Sequence, residues 1–134
     1  MDDIENLQKY KGLMESLARE MPQIVLAYIF GSTANNVRGP MSDYDFAVYL
    51  DELNKKKRYD IKFQLIGALS NALKTNKVDV AVINDTDNIN LKYAIISEGK
   101  VIFEKEPHKI IVESRILNEY FDFRIFIDTY QKIK

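Results

Sequence analysis

The sequence predicts a single α/β domain of the α+β kind, with helices packed on a mixed sheet of about four strands. Short runs rich in apolar and β-branched residues alternate with longer segments whose apolar residues recur at helical spacing. The chain has 134 residues, of which 46% are hydrophobic, and this suits one core of ordinary size. Because no repeat, low-complexity tract or linker divides the sequence, we expect residues 1–134 to form one domain.

The first part of the chain is predicted to form one helix and two buried strands. A helical pattern runs from residue 3 to about residue 20, and Pro22 ends it. The runs QIVLAYIF (23–30) and YDFAVYL (44–50) are continuously apolar enough to form strands that are buried on both faces. Residues 31–42 between them are rich in Asn, Gly, Ser and Pro, which indicates a turn or a short helix.

The rest of the chain alternates between helices and strands. Helical patterns cover residues 54–74 and 88–97, and the runs KVDVAVI (77–83) and KVIFE (100–104) are predicted strands. A long C-terminal helix is predicted at about 107–130, because proline is favoured at the first helical position. This last helix is apolar on more than one side, so it is either buried on both sides or covered by a partner. We expect the second, with a partner protein or a second copy of the chain docked on it.

The composition excludes several kinds of site. The chain has no cysteine and one histidine, His108, so disulfides, thiolate metal sites and histidine-rich zinc sites are excluded. Any metal must therefore bind mainly oxygen ligands, which favours magnesium, manganese or calcium. A formal net charge of −1 argues against a nucleic-acid-binding protein. The sequence shows neither a signal peptide nor an apolar run of membrane-spanning length, and we expect a cytoplasmic protein.

Three aspartates are the candidate functional carboxylates. Residues i and i+2 of a strand point to the same face, so Asp43 and Asp45 should project together at the start of the second strand. Such a pair alone is more often a solvated turn. Asp79 interrupts an apolar strand, where a charge is costly unless it is paired or metal-bound; the alternative is an exposed residue at a sheet edge. Three carboxylates on two strands suit two Mg²⁺ ions that act on a phosphoryl group.

The pair Gly31-Ser32 lies at the end of the preceding strand, and ten residues separate it from Asp43. Glycine allows the backbone to approach a ligand closely, and the free N–H groups of a following helical turn would face an anion. The hydroxyl of Ser32 adds a donor for a phosphate oxygen. Gly-Ser is common in turns, and only its spacing from the aspartates makes it a candidate phosphate site.

The stretch FGSTANNVRGPMSDYDFAVYL, followed by KVDVAVI, resembles the nucleotidyltransferase signature of the DNA polymerase β superfamily, and most closely its minimal nucleotidyltransferase (MNT) family. The resemblance runs from about residue 22 to residue 104 and implies a polymerase β-like fold. The C-terminal segment is similar to the tail of MntA-type antitoxins, which are paired with HEPN-domain toxins. The resemblance implies that the chain is an antitoxin that transfers AMP from ATP to a tyrosine hydroxyl of a cognate HEPN toxin.

The resemblance also implies a role for each candidate residue. Gly31 and Ser32 match the phosphate-binding pair, while Asp43 and Asp45 match the carboxylates that hold the two Mg²⁺ ions. Asp79 matches the third metal-binding carboxylate, which also activates the acceptor hydroxyl.

The loop after Gly-Ser departs from the family pattern. Many members have an arginine and a glycine there, where this chain has Thr33 and Asn35-Asn36; Arg38 is a candidate for the missing charge. Two other functions remain open. One is a nucleotidyltransferase for small molecules, although the chain has no second domain to build a substrate pocket. The other is an antitoxin that neutralises its partner by binding alone, with a vestigial metal site.

Overall fold

The computed structural model describes residues 2–31 and 44–133 and confirms the predicted α/β fold. Each predicted helix and strand is present, with ends close to those expected. The elements are α1 (Asp2–Glu20), β1 (Ile24–Phe30), β2 (Tyr44–Leu50), α2 (Lys55–Leu73), β3 (Val78–Val82), a short 3₁₀ helix (Ile83–Asp85), α3 (Ile89–Glu98), β4 (Lys100–Glu104) and α4 (His108–Ile133). The predicted turn over 31–42 lies outside the described residues except for Gly31.

The strands form one mixed sheet in the order β3-β2-β1-β4. The central strand β1 runs antiparallel to both β2 and β4, while β2 and β3 are parallel. Helix α2 makes the crossover that a parallel connection requires. As a result, the carboxyl end of β1 and the amino ends of β2 and β3 meet at the same end of the sheet.

Helices cover both faces of the sheet, which explains why β1 and β2 are continuously apolar in sequence. Helices α1 and α2 pack on one face, where the core includes Met14, Phe46, Leu65, Leu69 and Val80. Helices α3 and α4 pack on the other face, where the core includes Leu26, Tyr28, Ala47, Ile95 and Ile116. Alternate residues of β2 therefore enter different cores, and Asp45 lies on the α3/α4 face.

Helix α4 is fixed to the sheet and to α3 along its first half. The buried phenol of Tyr28 on β1 donates a hydrogen bond to the Glu113 carboxylate on α4. Burial, followed by the nearby Glu113, raises the pKa of Tyr28 far above its usual value, so the phenol remains a donor. The rings of Tyr93 and Tyr120 stack between α3 and α4 with centroids 3.8 Å apart.

Helix α4 exposes large apolar side chains on more than one of its sides, as the sequence predicts. They include Ile110, Leu117, Phe121, Ile125, Phe126 and Tyr130. We call this set the outer face of α4. The docking of a partner protein or a second copy on this face stays a prediction. Among the described helices, α4 included, none combines the length and apolar character needed to cross a membrane.

Candidate active site

The strand register brings two of the candidate carboxylates together at one end of the sheet. Phe30, the last residue of β1, is paired with Asp45 on β2, and Asp45 is paired with Asp79 on β3. Neighbouring strands lie about 4.8 Å apart, and directly paired residues point to the same face, so the two carboxylates lie side by side. The other predicted members, Ser32 and Asp43, lie outside the described residues.

Gly31 follows β1 directly and approaches Asp45 closely. Its φ is +70°, a conformation that is strained for any residue with a side chain. A Cβ atom at this position would lie 2.9 Å from Oδ2 of Asp45, nearer than such atoms come in real structures. Both the backbone conformation and the space beside the carboxylate therefore require glycine at the end of β1.

Asp79 lies beside Asp45 for a different reason from the one expected. The sequence suggested a carboxylate inside a buried strand, where it would need a partner. In the structure Asp79 is exposed, because β3 is an edge strand of the sheet. The alternative of an exposed edge residue thus describes its location correctly. Its register with Asp45, and not the cost of burial, brings its carboxylate into the cluster.

The candidate metal-ligand atoms among the described residues at this end of the sheet are the carboxylate oxygens of Asp45 and Asp79. Carboxylate oxygens from adjacent strands are ligands that suit Mg²⁺, so the donor chemistry fits the expected cation. Within residues 2–31 and 44–133, no group of three histidine, cysteine, aspartate or glutamate side chains is placed to hold a metal ion. The third carboxylate expected from the sequence is Asp43, which is not among those residues.

A cavity of about 260 Å³ opens next to Asp79, between β3 and α2. Its walls include residues 79–82 of β3 and the side chains of Arg58, Tyr59 and Lys62 on α2. We call this space the β3-edge cavity. It extends the candidate site from the paired carboxylates to the outer edge of the sheet.

Arg58 is a structural residue of this cavity whose role the sequence did not reveal. Its guanidinium makes two-pronged contacts with the Asp85 carboxylate, including bonds of 2.7 and 3.0 Å. It also donates to the carbonyl oxygens of Glu52 and Leu53. The side chains of Arg58 and Asp85 are only 14% and 22% exposed. Arg58 therefore ties the start of α2 to the 3₁₀ helix that follows β3.

The Arg58–Asp85 pair should make stability depend on pH. The hydrogen bond from Arg58 holds the pKa of Asp85 below its usual value, so the pair stabilises the fold above the unfolded pKa of about 3.9. That contribution is lost as the pH falls through the lower folded pKa. We expect Asp85→Asn to lower the free energy of unfolding by about 1 kcal/mol at pH 7 and by much less at pH 3.

Urea unfolding at pH 7, 5 and 3 measures this difference. Asp87→Asn is the matched control, because Asp87 is an exposed aspartate of the following loop and should show no such trend. An equal loss of stability for Asp85→Asn at all three pH values would contradict the role given to the ionised carboxylate.

The mixed sheet, the register of its carboxylates and comparison with known proteins define the class of protein. Residues 13–108 match the family described as "Polymerase beta, Nucleotidyltransferase". The chain belongs to this nucleotidyltransferase family. The matched range contains all four strands, together with Gly31, Asp45 and Asp79.

Within this family, the chain is similar to proteins of toxin–antitoxin pairs, as the resemblance to the MNT family suggested. Protein adenylyltransferase MntA of Aphanizomenon flos-aquae is 26% identical over an alignment of 114 residues, and the match covers 78% of this chain and 73% of the relative. A toxin–antitoxin crystal structure with AMP-PNP aligns with a TM-score of 0.68 at 20% identity, over 90% of this chain and 98% of that chain.

A second solved structure is similar over most of both chains. It is described as tri-AMPylated Shewanella oneidensis HEPN toxin in complex with MNT antitoxin. The TM-score is 0.62 at 20% identity, over 93% of this chain and 98% of that chain. At this identity the likeness establishes the fold, and it confirms the predicted polymerase β-like architecture.

Proposed function

We propose that this protein transfers AMP from ATP to a hydroxyl group, a tyrosine in particular, of a cognate HEPN-domain toxin, and thereby acts as an antitoxin. The observation that carries the proposal is the direct pairing of Asp45 with Asp79, beside a glycine whose missing side chain leaves room for the Asp45 carboxylate. The curated relative is a protein adenylyltransferase, and one structural neighbour contains an AMPylated HEPN toxin. Both support AMP as the transferred group and a protein as the acceptor.

The reaction needs one group to remove a proton and several to hold the triphosphate. The acceptor oxygen attacks the α-phosphorus of ATP, a new P–O bond forms, and the bond to the pyrophosphate oxygen breaks. A tyrosine hydroxyl has an unperturbed pKa of about 10, so it needs a base at neutral pH. Asp79 is suited to take this proton, because its carboxylate is exposed at the sheet edge, where an acceptor from outside can reach it.

The remaining residues position ATP. Gly31 allows the backbone to approach the phosphates, and we assign the hydroxyl of Ser32 to a phosphate oxygen. Asp43, Asp45 and Asp79 would hold two Mg²⁺ ions. When bound, such ions neutralise charge on the triphosphate and favour loss of pyrophosphate.

The outer face of α4 is the surface we assign to the partner protein. An apolar surface of this kind is costly to leave in water and is typical of a site where another protein docks. It lies on a helix whose first half is already held by the Tyr28–Glu113 bond and the packing on α3. Contact with a second copy of this chain is the alternative use of the same surface.

The test is an intact-mass measurement on the proposed partner, a HEPN-domain protein to be sought in the neighbouring reading frame, incubated with this protein, Mg²⁺ and ATP. We expect the HEPN protein to gain mass in whole multiples of one AMP unit. An ATP analogue with a methylene group between the α- and β-phosphates is the matched control, because its α–β bond cannot be cleaved in this way. A stable complex with no gain in mass would contradict the proposal and indicate an antitoxin that acts by binding alone.

A further inference from the structure

We infer that the acceptor segment of the partner binds as an extended strand along the outer edge of β3, with its hydroxyl-bearing residue opposite Asp79. This inference rests on the proposed function, and it specifies how the acceptor reaches the paired carboxylates. The occupant of this edge is a peptide segment of the protein that becomes AMPylated.

The first support is the position of β3 at the end of the sheet that the described strands form. β3 is the end strand of the sheet, and none of the described strands pairs with its outer side. The β3-edge cavity touches four consecutive residues, 79–82. Because side chains alternate between the two faces of a strand, contact with all four residues places the cavity along the backbone of β3 rather than over one set of its side chains. Edge N–H and C=O groups are the ones that pair with an added strand.

The second support is an exposed aromatic pair on the α2 side of the cavity. Tyr59 and Phe63 stack with ring centroids 6.3 Å apart, although they are 49% and 64% exposed. Large exposed aromatic side chains are frequent anchors of protein interfaces. Tyr59 lines the β3-edge cavity itself, so an added segment could bury part of this pair while it pairs with β3.

The charge of this surface favours a segment that carries an acidic residue. Lys62 also lines the cavity and makes no ion pair with a described residue, whereas Arg58 beside it is already paired with Asp85. The nearby run Lys55, Lys56 and Lys57 begins α2 and is exposed. The segment that fits is therefore extended, carries an apolar or aromatic residue for Tyr59 and Phe63, and has an acidic residue near Lys62.

The geometry of strand addition also favours a long acceptor side chain. A residue paired with Asp79 would point to the same face as Asp79 and Asp45. The added strand would lie about 4.8 Å beyond β3, and therefore roughly 14 Å from β1, which Gly31 follows directly. The hydroxyl of a tyrosine lies further from its own backbone than that of a serine, so a tyrosine that leans over β3 can bring its hydroxyl nearer to the carboxylates and the phosphates, whereas that of a serine stays near the added strand.

Amide hydrogen exchange on the complex tests where the acceptor binds. The Asp45→Asn variant is mixed with the neighbouring HEPN protein, so that binding is observed without turnover. We expect exchange of β3 amides within residues 79–82 to slow by at least about tenfold on complex formation, because outward N–H groups gain partners. Added protection on α4 alone, with β3 unchanged, would overturn the inference, and so would the absence of any complex.

Steady-state kinetics gives a second readout. We expect Lys62→Glu and Tyr59→Ala each to raise KM for the HEPN protein about tenfold with KM for ATP unchanged, a change that corresponds to about 1.4 kcal/mol. Lys11→Glu is the matched control, because Lys11 is exposed on α1 and belongs neither to the cavity lining nor to the lysine run at the start of α2. An unchanged KM for the HEPN protein in both cavity variants would contradict the inference.

The two proposals fail in different ways. If a HEPN protein protects β3 but gains no mass with the wild-type enzyme, the proposed function is contradicted and the edge of β3 is still supported as a binding site. If AMP is transferred but β3 is not protected, the proposed function is supported and binding of the acceptor at the β3 edge is contradicted.

Discussion

Asp45→Asn should reduce AMP transfer by about 10³-fold or more and leave the fold in place. Asparagine has nearly the same shape as aspartate, so the pairing with Phe30 and Asp79 can persist. What is lost is a negative charge beside Gly31, where the triphosphate and its cations are expected. Bound metal ions contribute several kcal/mol to charge stabilisation in a phosphoryl transition state, and each 1.36 kcal/mol is about a factor of ten in rate.

The measurement is the initial rate of AMP incorporation, together with the unfolding curve of each variant. Asp51→Asn removes the same charge just beyond the opposite end of β2 and serves as the control, because Asp51 is exposed and far along the strand from Asp79. Transfer within tenfold of the wild type in a folded Asp45→Asn protein would overturn the assignment of this carboxylate.

Asp79→Asn distinguishes proton removal by Asp79 from cation binding by Asp45 in the proposed reaction. Loss of a general base typically costs about 10²- to 10⁴-fold. Because a tyrosine acceptor ionises unaided near its pKa of about 10, part of the Asp79→Asn defect should be recovered as the pH rises towards 9. Asp45→Asn should show no such recovery, because a higher pH does not restore a missing cation ligand.

The sequence predicted the helices and strands well because their signals are local. Strands buried on both faces are continuous apolar runs, and both β1 and β2 have this form. Helix starts also have local signals: the side chains of Asn54 and Asn88 accept the N–H groups of residues three positions further on, at the starts of α2 and α3. Residue type and spacing are enough for such features.

The features that the sequence did not reveal depend on how distant segments meet. The exposure of Asp79 follows from the position of β3 at the edge of the sheet, and strand order is not encoded in any short stretch of residues. The contact between Arg58 and Asp85 joins residues 27 positions apart, and both look like ordinary charged surface residues in sequence. The pairing of Asp45 with Asp79 required a register that only the folded sheet defines.

Gly31→Ala tests whether the close approach of backbone to carboxylate matters for the reaction. The new Cβ atom would meet Oδ2 of Asp45 at 2.9 Å in a residue with φ of +70°, so either the backbone or the carboxylate must move. We expect a loss of about 1 kcal/mol in the free energy of unfolding, because a residue other than glycine is strained there. Displacement of a catalytic group by about 1 Å can cost about 10²-fold in rate, and we expect a decrease of that order.

The matched control is Gly67→Ala, because Gly67 lies inside α2 and a Cβ atom there has no neighbour within 4 Å. Alanine should stabilise that helix by about 0.5–1 kcal/mol and leave transfer unchanged. Rates for both variants should be compared at a temperature where unfolding curves show each protein to be fully folded. If Gly31→Ala then transfers AMP at the wild-type rate, the site tolerates a displaced Asp45, and Gly31 serves the turn rather than the chemistry. A rate loss in the folded protein would instead tie the geometry at the end of β1 to the position of the Asp45 carboxylate.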